Sequence, residues 1–405
     1  KASLKIAVLN IRGLGNVNAW HPDNKWNHIN QIMNTKRIAV LVVGEAHLNE
    51  ERKTAIENMP RGCLRVLHSE DPVSPNARGI TIVLNKSLTE TENIVATEII
   101  AGRALLVETC WHRNEKLSIL GVYAPVNPVE NTRFWGDINE FFLNNPNTRK
   151  PDVMAGDMNV TEDPIDQFPA CQDYIPAVDS LDILQTSLHL IDGWQNCYPT
   201  TTKYTWQRPA TGPQSRLDRI YVRSDMNEHC FEWNIEKSRI PTDHDMVSVR
   251  YSMVTAPQIG HGRWAMPLHI VRDHIVKGFI IKAGRTLQDD VEKYSKPENH
   301  TPEKNPQKLW EDFSKELRTL ARERAKVVVL TIDREIRQIE MEIMVEENSR
   351  DRPQSDEPSV NLKLMALHTR LDELTQKHHK KWHEAAQAQN MLEGEVISKY
   401  WSGIN

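Results

Sequence analysis

A chain of 405 residues, 39% of them hydrophobic, holds enough apolar material for two structural units with cores of their own. A net charge of -5 and a pI near 6.4 exclude a polycation that coats nucleic acid by charge alone, so any contact with DNA must come from a local basic surface. No apolar run nears the ~20 residues of a membrane span, and the five cysteines, odd in number and without a C-x-x-C pair, exclude a disulfide framework or a zinc site of the usual spacing and point to a reducing, intracellular setting.

The start at Lys1 and the end at Asn405 read as those of a piece of a longer product. Residues 4–11 (LKIAVLNI) alternate apolar and β-branched side chains, as a strand does, and stop at Arg12-Gly13-Leu14-Gly15, so Asn10 sits at a strand exit. Trp26, Ile29, Ile32 and Met33 recur at helical spacing over 25–36. Residues 38–44 (IAVLVVG) form a short continuous apolar run of the kind buried on both faces of a sheet, with Glu45 directly after it. Strand, helix and strand make an α/β opening. Runs at 79–84, 104–110 and 117–122 follow with no strong helix between them and are expected as antiparallel neighbours. Pro125 stops the last of them and pins Tyr123 at its tip.

Phe134, Trp135, Ile138, Phe141 and Phe142 give 133–143 an amphipathic helix that leads into 153–159 (VMAGDMN). There an apolar strand delivers Gly156, Asp157 and Asn159 to its exit, and a carboxylate beside a carboxamide suits a base and a hydrogen-bond donor meeting a phosphate; the same residue types also make ordinary turns. A second helix is expected over 181–188. Residues 204–206 and 215–222 (SRLDRIYV) read as two strands joined by a turn, with Leu217, Arg219 and Tyr221 on one face and Arg216, Asp218 and Ile220 on the other. A buried Asp218 needs a partner, because an unpaired buried charge costs several kcal/mol. Arg216 or Arg219 could serve, and so could the histidine in Thr242-Asp243-His244-Asp245, which precedes a closing strand at 246–253.

Composition changes after Pro257. A linker carrying one helix is expected over 256–303, then a long helical hairpin over 304–405. One arm is striped by Trp310, Phe313, Leu317, Leu320, Val327, Ile336 and Ile343, the other by Leu364, Leu371, Leu374, Trp382 and Leu392, with a mobile polar stretch at 346–359 between them.

The eight polar residues Asn10, Glu45, Tyr123, Asp157, Asn159, Asp218, Asp243 and His244, in the contexts LNIRG, GEAHL, YAP, GDMN, SRLDRIYV and TDHD, resemble the endonuclease/exonuclease/phosphatase superfamily of metal-dependent phosphodiesterases over residues 1–255. Each signature alone is weak; six in order are improbable by accident. GEAHL, and SRLDRIY followed by TDH, are most similar to the endonuclease domain of non-LTR (LINE-type) retrotransposons, and 394–401 (GEVISKYW) is similar to the start of the linker toward their reverse transcriptase.

The resemblance implies a two-sheet α/β sandwich of the DNase I and AP-endonuclease type followed by a mainly helical region. It implies a nuclear enzyme that nicks DNA and leaves a 3′ hydroxyl, as in target-primed retrotransposition. Its partners would be DNA, a reverse transcriptase domain in cis or the element RNA, with the helices available for protein contacts. Mg2+, with Mn2+ as a substitute, would be held by Glu45 and Asp243, since such hard cations take oxygen ligands. Asp157 would orient or deprotonate the attacking water, Asn10 and Asn159 would hydrogen-bond the phosphate or that water, Tyr123 would offer its hydroxyl, and His244 aligned by Asp218 would act as a charged donor or acid. Arg12, Thr205, Arg216 and Asn127 are the substrate-side candidates, Asn127 standing one position beyond the family's Asn, where this chain has Val126. Arg78, Arg103, Arg208 and Arg239 are further candidates for phosphate contacts. Arg12 and Ser215 replace an acidic and an aromatic residue of the abasic-site enzymes, which speaks against a dedicated abasic pocket. Two other functions fit the same residues: the fold acting on a phosphoester other than DNA, and a catalytically idle module that works through its hairpin.

Overall fold

β1 (Leu4–Asn10) lies deep inside a six-stranded sheet, with β15 (Met246–Tyr251) antiparallel on one side and β2 (Val40–Gly44) parallel on the other. The computed structural model describes residues 3–16, 21, 24–59, 63–72, 79–112, 115–207, 212–238, 240–252, 266, 268–271, 273–327, 331–347, 363–364, 366–371 and 373–374. The first sheet runs β14 (Cys230–Glu236), β15, β1, β2, β4 (Ile80–Asn85), β3 (Leu64–Ser69). The second runs β10 (Leu190–Asp192), β13 (Asp218–Arg223), β8 (Val153–Asp157), β7 (Glu115–Tyr123), β6 (Ala104–His112), β5 (Val95–Ile100). A small third sheet joins β11 (Trp206–Gln207), β12 (Gln214–Ser215) and β9 (Gln167–Phe168).

The two large sheets share one apolar layer. Ile6, Val8, Val40, Val42 and Ile82 from the first meet Leu105, Val107, Ile119, Val153 and Ile220 from the second. Alternate residues of the same strands face outward. On the first sheet Leu9, Leu41 and Val43 are covered by Trp26, Ile29 and Met33 of α1 (Lys25–Thr35) and by Ile56 of α2 (Glu50–Glu57). On the second, Leu120, Val122 and Met154 are covered by α3 (Pro128–Asn144) and α4 (Ile175–Leu188). Burial on both faces explains why β2 and β8 read as continuous apolar runs. The result is the two-sheet α/β sandwich implied by the resemblance.

Three local expectations change. Residues 80–85 do not join the hairpin of β6 and β7; β4 pairs antiparallel with β2 and β3 in the other sheet, where its fully buried pattern belongs. The run 215–222 is two pieces, with β12 in the small sheet and β13 in the large one. That break at 216–217 defeats the simple alternation of faces, so Arg216 and Arg219 are both buried. β5 and β14 escape notice in the sequence because they are edge strands of mixed polarity.

The chain divides into two compact units, one of residues 1–258 with 338–405 and one of residues 259–337. The expected boundary at 303/304 therefore falls inside the second unit. There α6 (Leu268–Val271), α7 (His274–Tyr294) and α8 (Pro306–Val327) pack around Ile270, Val276 and Ala321. Phe279 stacks on Phe313 with centroids 6.0 Å apart, and Arg324 holds Asp273, the N-cap of α7, at 2.8 Å. The stripe expected over 310–343 is carried by two helices, α8 and α9 (Thr331–Glu347). Residues 348–359 of the expected mobile stretch, the outer part of the second arm and the GEVISKYW segment lie outside the described residues. Among the described residues no helix is long and apolar enough to cross a membrane.

Candidate active site

Strand register assembles the site. Asn10 ends β1 opposite Gly44, and Glu45 is the next residue. In the other sheet Tyr123 ends β7 opposite Asp157 of β8, and Asp157 lies opposite Asp218 of β13. Each sheet thus finishes in a row of polar side chains, and the rows meet. Asn10 Nδ2 donates to Glu45 Oε1 at 2.9 Å and to Asp157 Oδ2 at 3.0 Å.

Loops are tied to these strand ends. Asn159 donates its backbone N–H to Asp157 Oδ1 at 3.0 Å and its Nδ2 to Ala124 O at 2.9 Å. Thr242 Oγ1 donates to Asn10 O at 2.8 Å, which brings the 242–245 segment to the end of β1. His244 Nδ1 then lies 2.7 Å from Asp218 Oδ2, both side chains buried. Arg12, Glu45, His47 and Asn159 all have φ between 46° and 51°. Residues other than glycine seldom adopt that left-handed conformation, and such strain gathers where surrounding contacts hold a side chain for chemistry.

The electrostatics follow from this packing. Burial raises the Asp157 carboxyl to about 6, the Asp218 carboxylate adding to it while His244, Asn10 and the Asn159 N–H oppose. Burial pushes His244 down, but the charge and hydrogen bond of Asp218 outweigh it and lift the imidazole to about 10. Tyr123 is pushed well up by burial and by Glu45, which accepts its hydroxyl proton in a hydrogen bond. At neutral pH the site therefore offers a mostly ionised Asp157, an imidazolium and a phenol.

The donor set fits a hard divalent cation. Asp157 and Asp218 supply clustered carboxylate oxygens, and Asp218 Oδ1 and Asp243 Oδ1 are buried with no hydrogen-bond partner, whereas Glu45, bound to Asn10, and Asp243, bound to Arg12 and Trp206, stand outside that cluster. Asp157, Asp218 and His244 each place one ligand-type atom within 4.8 Å of the others. His244 Nδ1 is already bound to Asp218, so the oxygens are the better ligands for such a cation.

The substrate-side candidates separate. Arg12 is largely exposed and pairs with Asp243 at 3.0 Å. Thr205 is buried behind the site, its Oγ1 accepting from the Leu217 and Asp218 N–H groups at 3.0 and 2.9 Å. The Asn127 carboxamide oxygen caps α3 through Val129 N and Glu130 N at 3.0 and 3.1 Å. Arg216 is a correction: its guanidinium is buried and committed to Asp166 Oδ1 and Asp192 Oδ2, each at 2.7 Å, and to Gln195 Oε1 at 2.9 Å, which leaves nothing for a substrate. Arg219 joins the same acids. Arg103 lies over the Tyr123 ring, 5.5 Å from its centroid. Arg78, Arg208 and Arg239 lie outside the described residues.

Three supporting residues escaped the sequence reading. Trp206 Nε1 donates to Asp243 Oδ2 at 3.3 Å. Thr242 anchors to β1 as described. Asn131 Nδ2 donates to Pro125 O and Met158 O, both at 2.9 Å, and so joins the loops after β7 and β8. Only Asn131 left a signal, as a polar residue on the apolar face of α3 one turn before Trp135, whose indole N–H it accepts at 2.6 Å.

Among solved structures, the chain is similar to the AP endonuclease LMAP from Leishmania major, at 15% identity with a TM-score of 0.52 over 62% of this chain and 88% of that one. It is also similar to an AP endonuclease from Archaeoglobus fulgidus, at 14% identity and a TM-score of 0.49 over 62% and 100% of the two chains. The endonuclease domain of TRAS1, a telomere-specific non-LTR retrotransposon, matches at 13% identity and a TM-score of 0.45 over 62% and 100%. Curated proteins give no match. The family model described as Endonuclease/Exonuclease/phosphatase family matches residues 7–244. That span exceeds half of the 405 residues and ends on the buried imidazole paired with Asp218, and the chain belongs to the Endonuclease/Exonuclease/phosphatase family.

Proposed function

We propose that this protein is a divalent-cation-dependent phosphodiesterase that nicks one strand of DNA and leaves a 3′ hydroxyl, in the nucleus, as the endonuclease step of target-primed retrotransposition. One observation carries the reading: the unbroken series of contacts from Glu45 through Asn10 to Asp157, beside the Asp218–His244 pair. Asp157, near 6, is basic enough to take a proton from water at neutral pH and is held by Asn10 and Asn159 in one orientation. His244 stays charged and presents an N–H to phosphate oxygen, where fixed positive charge stabilises the more negative transition state. Tyr123 keeps its proton and donates it in a hydrogen bond. Mg2+ or Mn2+ held by Glu45 and Asp243 would polarise the phosphate and offset developing charge. The order of the sequence signatures and the helices beyond residue 257 support a retrotransposon endonuclease, with a reverse transcriptase or element RNA as the natural partner.

The test is relaxation of supercoiled plasmid in Mg2+ by the wild type and by Asp157→Ala, followed by polymerase extension of the nicked ends. Nicking by the wild type alone, with ends extended directly, supports the proposal. Equal nicking by both proteins removes the mechanism, and turnover of a small phosphoester without DNA cleavage moves the activity to another substrate.

A further inference from the structure

The family match ends at residue 244, yet residues 338–405 belong to the same compact unit as the two sheets. Their described parts converge on one place. Ile343 of α9 and Leu364, Leu371 and Leu374 of the helical residues between 363 and 374 are buried. His368, also buried, sets its Nε2 3.1 Å from the side-chain amide nitrogen of Gln214 on β12. Ile343, His368 and Leu371 share with Thr205, Trp206 and Asp243 the wall of a cavity of about 30 Å3.

The hairpin they touch connects to both halves of the catalytic pair. β11 and β12 are joined by only two residue pairs, a ladder too short to hold itself in place. Trp206 of β11 bridges to His244 and donates to Asp243. Asp245 N donates to Thr205 O at 2.6 Å, and Gln207 N to Asp243 O at 3.3 Å. On the other side Thr205 N donates to Ser215 O, and Thr205 Oγ1 accepts from Asp218 N. A shift of this hairpin would move Asp218 and His244 apart.

We infer that residues 338–347 and the helical residues between 363 and 374 are a positioning element for the Asp218–His244 pair, acting through the contact of His368 with Gln214 and the packing of Leu371. The inference rests on the nicking activity proposed above. His368 touches no reacting atom and is a positioning residue. These helical residues are then part of the enzyme's working structure, in addition to any role as a connector.

The test uses the full chain with His368→Ala, His368→Gln and, as an independent lesion of the same contact, Leu371→Ala. Misplacement of catalytic groups by well under 1 Å predicts a fall in plasmid-nicking kcat of about tenfold for His368→Ala and Leu371→Ala, with KM for DNA within about twofold of wild type. His368→Gln, which can still meet the Gln214 amide, should recover most of the rate. Hydrogen exchange at residues 203–207 and 243–245 should quicken in the two alanine variants while β1, β2, β7 and β8 stay protected. Unchanged kcat with unchanged exchange overturns the inference, and so does a raised KM at constant kcat, which would make the segment a DNA contact. If the wild type does not nick, the proposed function fails on its own, and the exchange pattern still decides whether these helices hold the hairpin.

Discussion

Asn10 Nδ2 donates to Asp157 Oδ2 at 3.0 Å across 147 residues of sequence, a single hydrogen bond that joins the end of one sheet to the end of the other. The same amide serves Glu45. Asn10→Ala leaves two carboxylates facing one another with their shared donor gone. Losing a buried hydrogen bond to charged groups costs about 1–3 kcal/mol, and nicking should fall by about 100-fold or more as Asp157 loses its orientation. Chemical denaturation and plasmid relaxation measure the two effects separately.

The titrations of Asp157 and His244 set the pH profile. Nicking should rise as Asp157 ionises near 6 and fall as His244 loses its proton near 10. Asp218→Asn removes the carboxylate that lifts His244 and keeps the burial that lowers it, so the alkaline limb should move toward acid by about two units or more. An unmoved limb would assign it to another group.

The same shift enters stability. The folded pKa of His244 is raised above its ordinary 6.5, so its contribution is fully present below about 6.5 and is lost as pH rises through about 10. The melting temperature of the wild type should exceed that of His244→Gln near neutral pH, and the gap should narrow on going to about pH 10.5. A constant gap would mean that packing, not charge, accounts for it.

Two glycines make an internal control. A Cβ at Gly156 would stand 1.8 Å from Val122 O, where β7 and β8 run side by side, whereas one at Gly136 on α3 meets nothing within 4 Å. Gly156→Ala should therefore destabilise by about 4 kcal/mol or more, or prevent folding. Gly136→Ala should be stabilising by about 0.5–1 kcal/mol through helix propensity. Urea midpoints of the two variants compare them directly.

Arg12 and Arg216, one exposed and one buried, should behave oppositely. Arg12→Ala, at an exposed site beside Asp243, should weaken DNA binding and lower the slope of log affinity against log salt by about 1. Arg216→Ala should leave that slope alone and cost about 3 kcal/mol of stability, because it removes one of the two guanidinium groups, Arg216 and Arg219, that hold the buried Asp166 and Asp192. Salt titrations and denaturation curves on both variants separate the roles.

Strand exits are visible in the sequence, and that is why Asn10, Glu45, Tyr123 and Asp157 stand out: each ends or follows an apolar run whose buried pattern is unmistakable. Asp218 stands out differently, as a carboxylate at the start of a strand that is buried behind it. Long-range partnership was visible for Asp218 and His244, because a buried carboxylate demands a partner, but not for Arg216. The acids that hold Arg216 lie 50 and 24 residues before it, in or beside the short β9 and β10, and no local pattern distinguishes a buried arginine in such a cluster from a surface one. Sheet membership of β4 was hidden for a related reason: two neighbouring apolar runs look alike whether they pair together or with strands elsewhere. The stripe along α8 and α9 announces helices but not which body covers which turn, so the division at 337/338 could not be read from it.

β1, the first strand of the sandwich in chain order, takes its place between β2 and β15, the last strand of the sandwich. A ribosome that has produced the first 240 residues has made neither His244 nor the strand that closes the sheet around Asn10. The group of Asp157, Asp218 and His244 is therefore completed in one late step of synthesis, when the C-terminal end of the sandwich docks against its beginning.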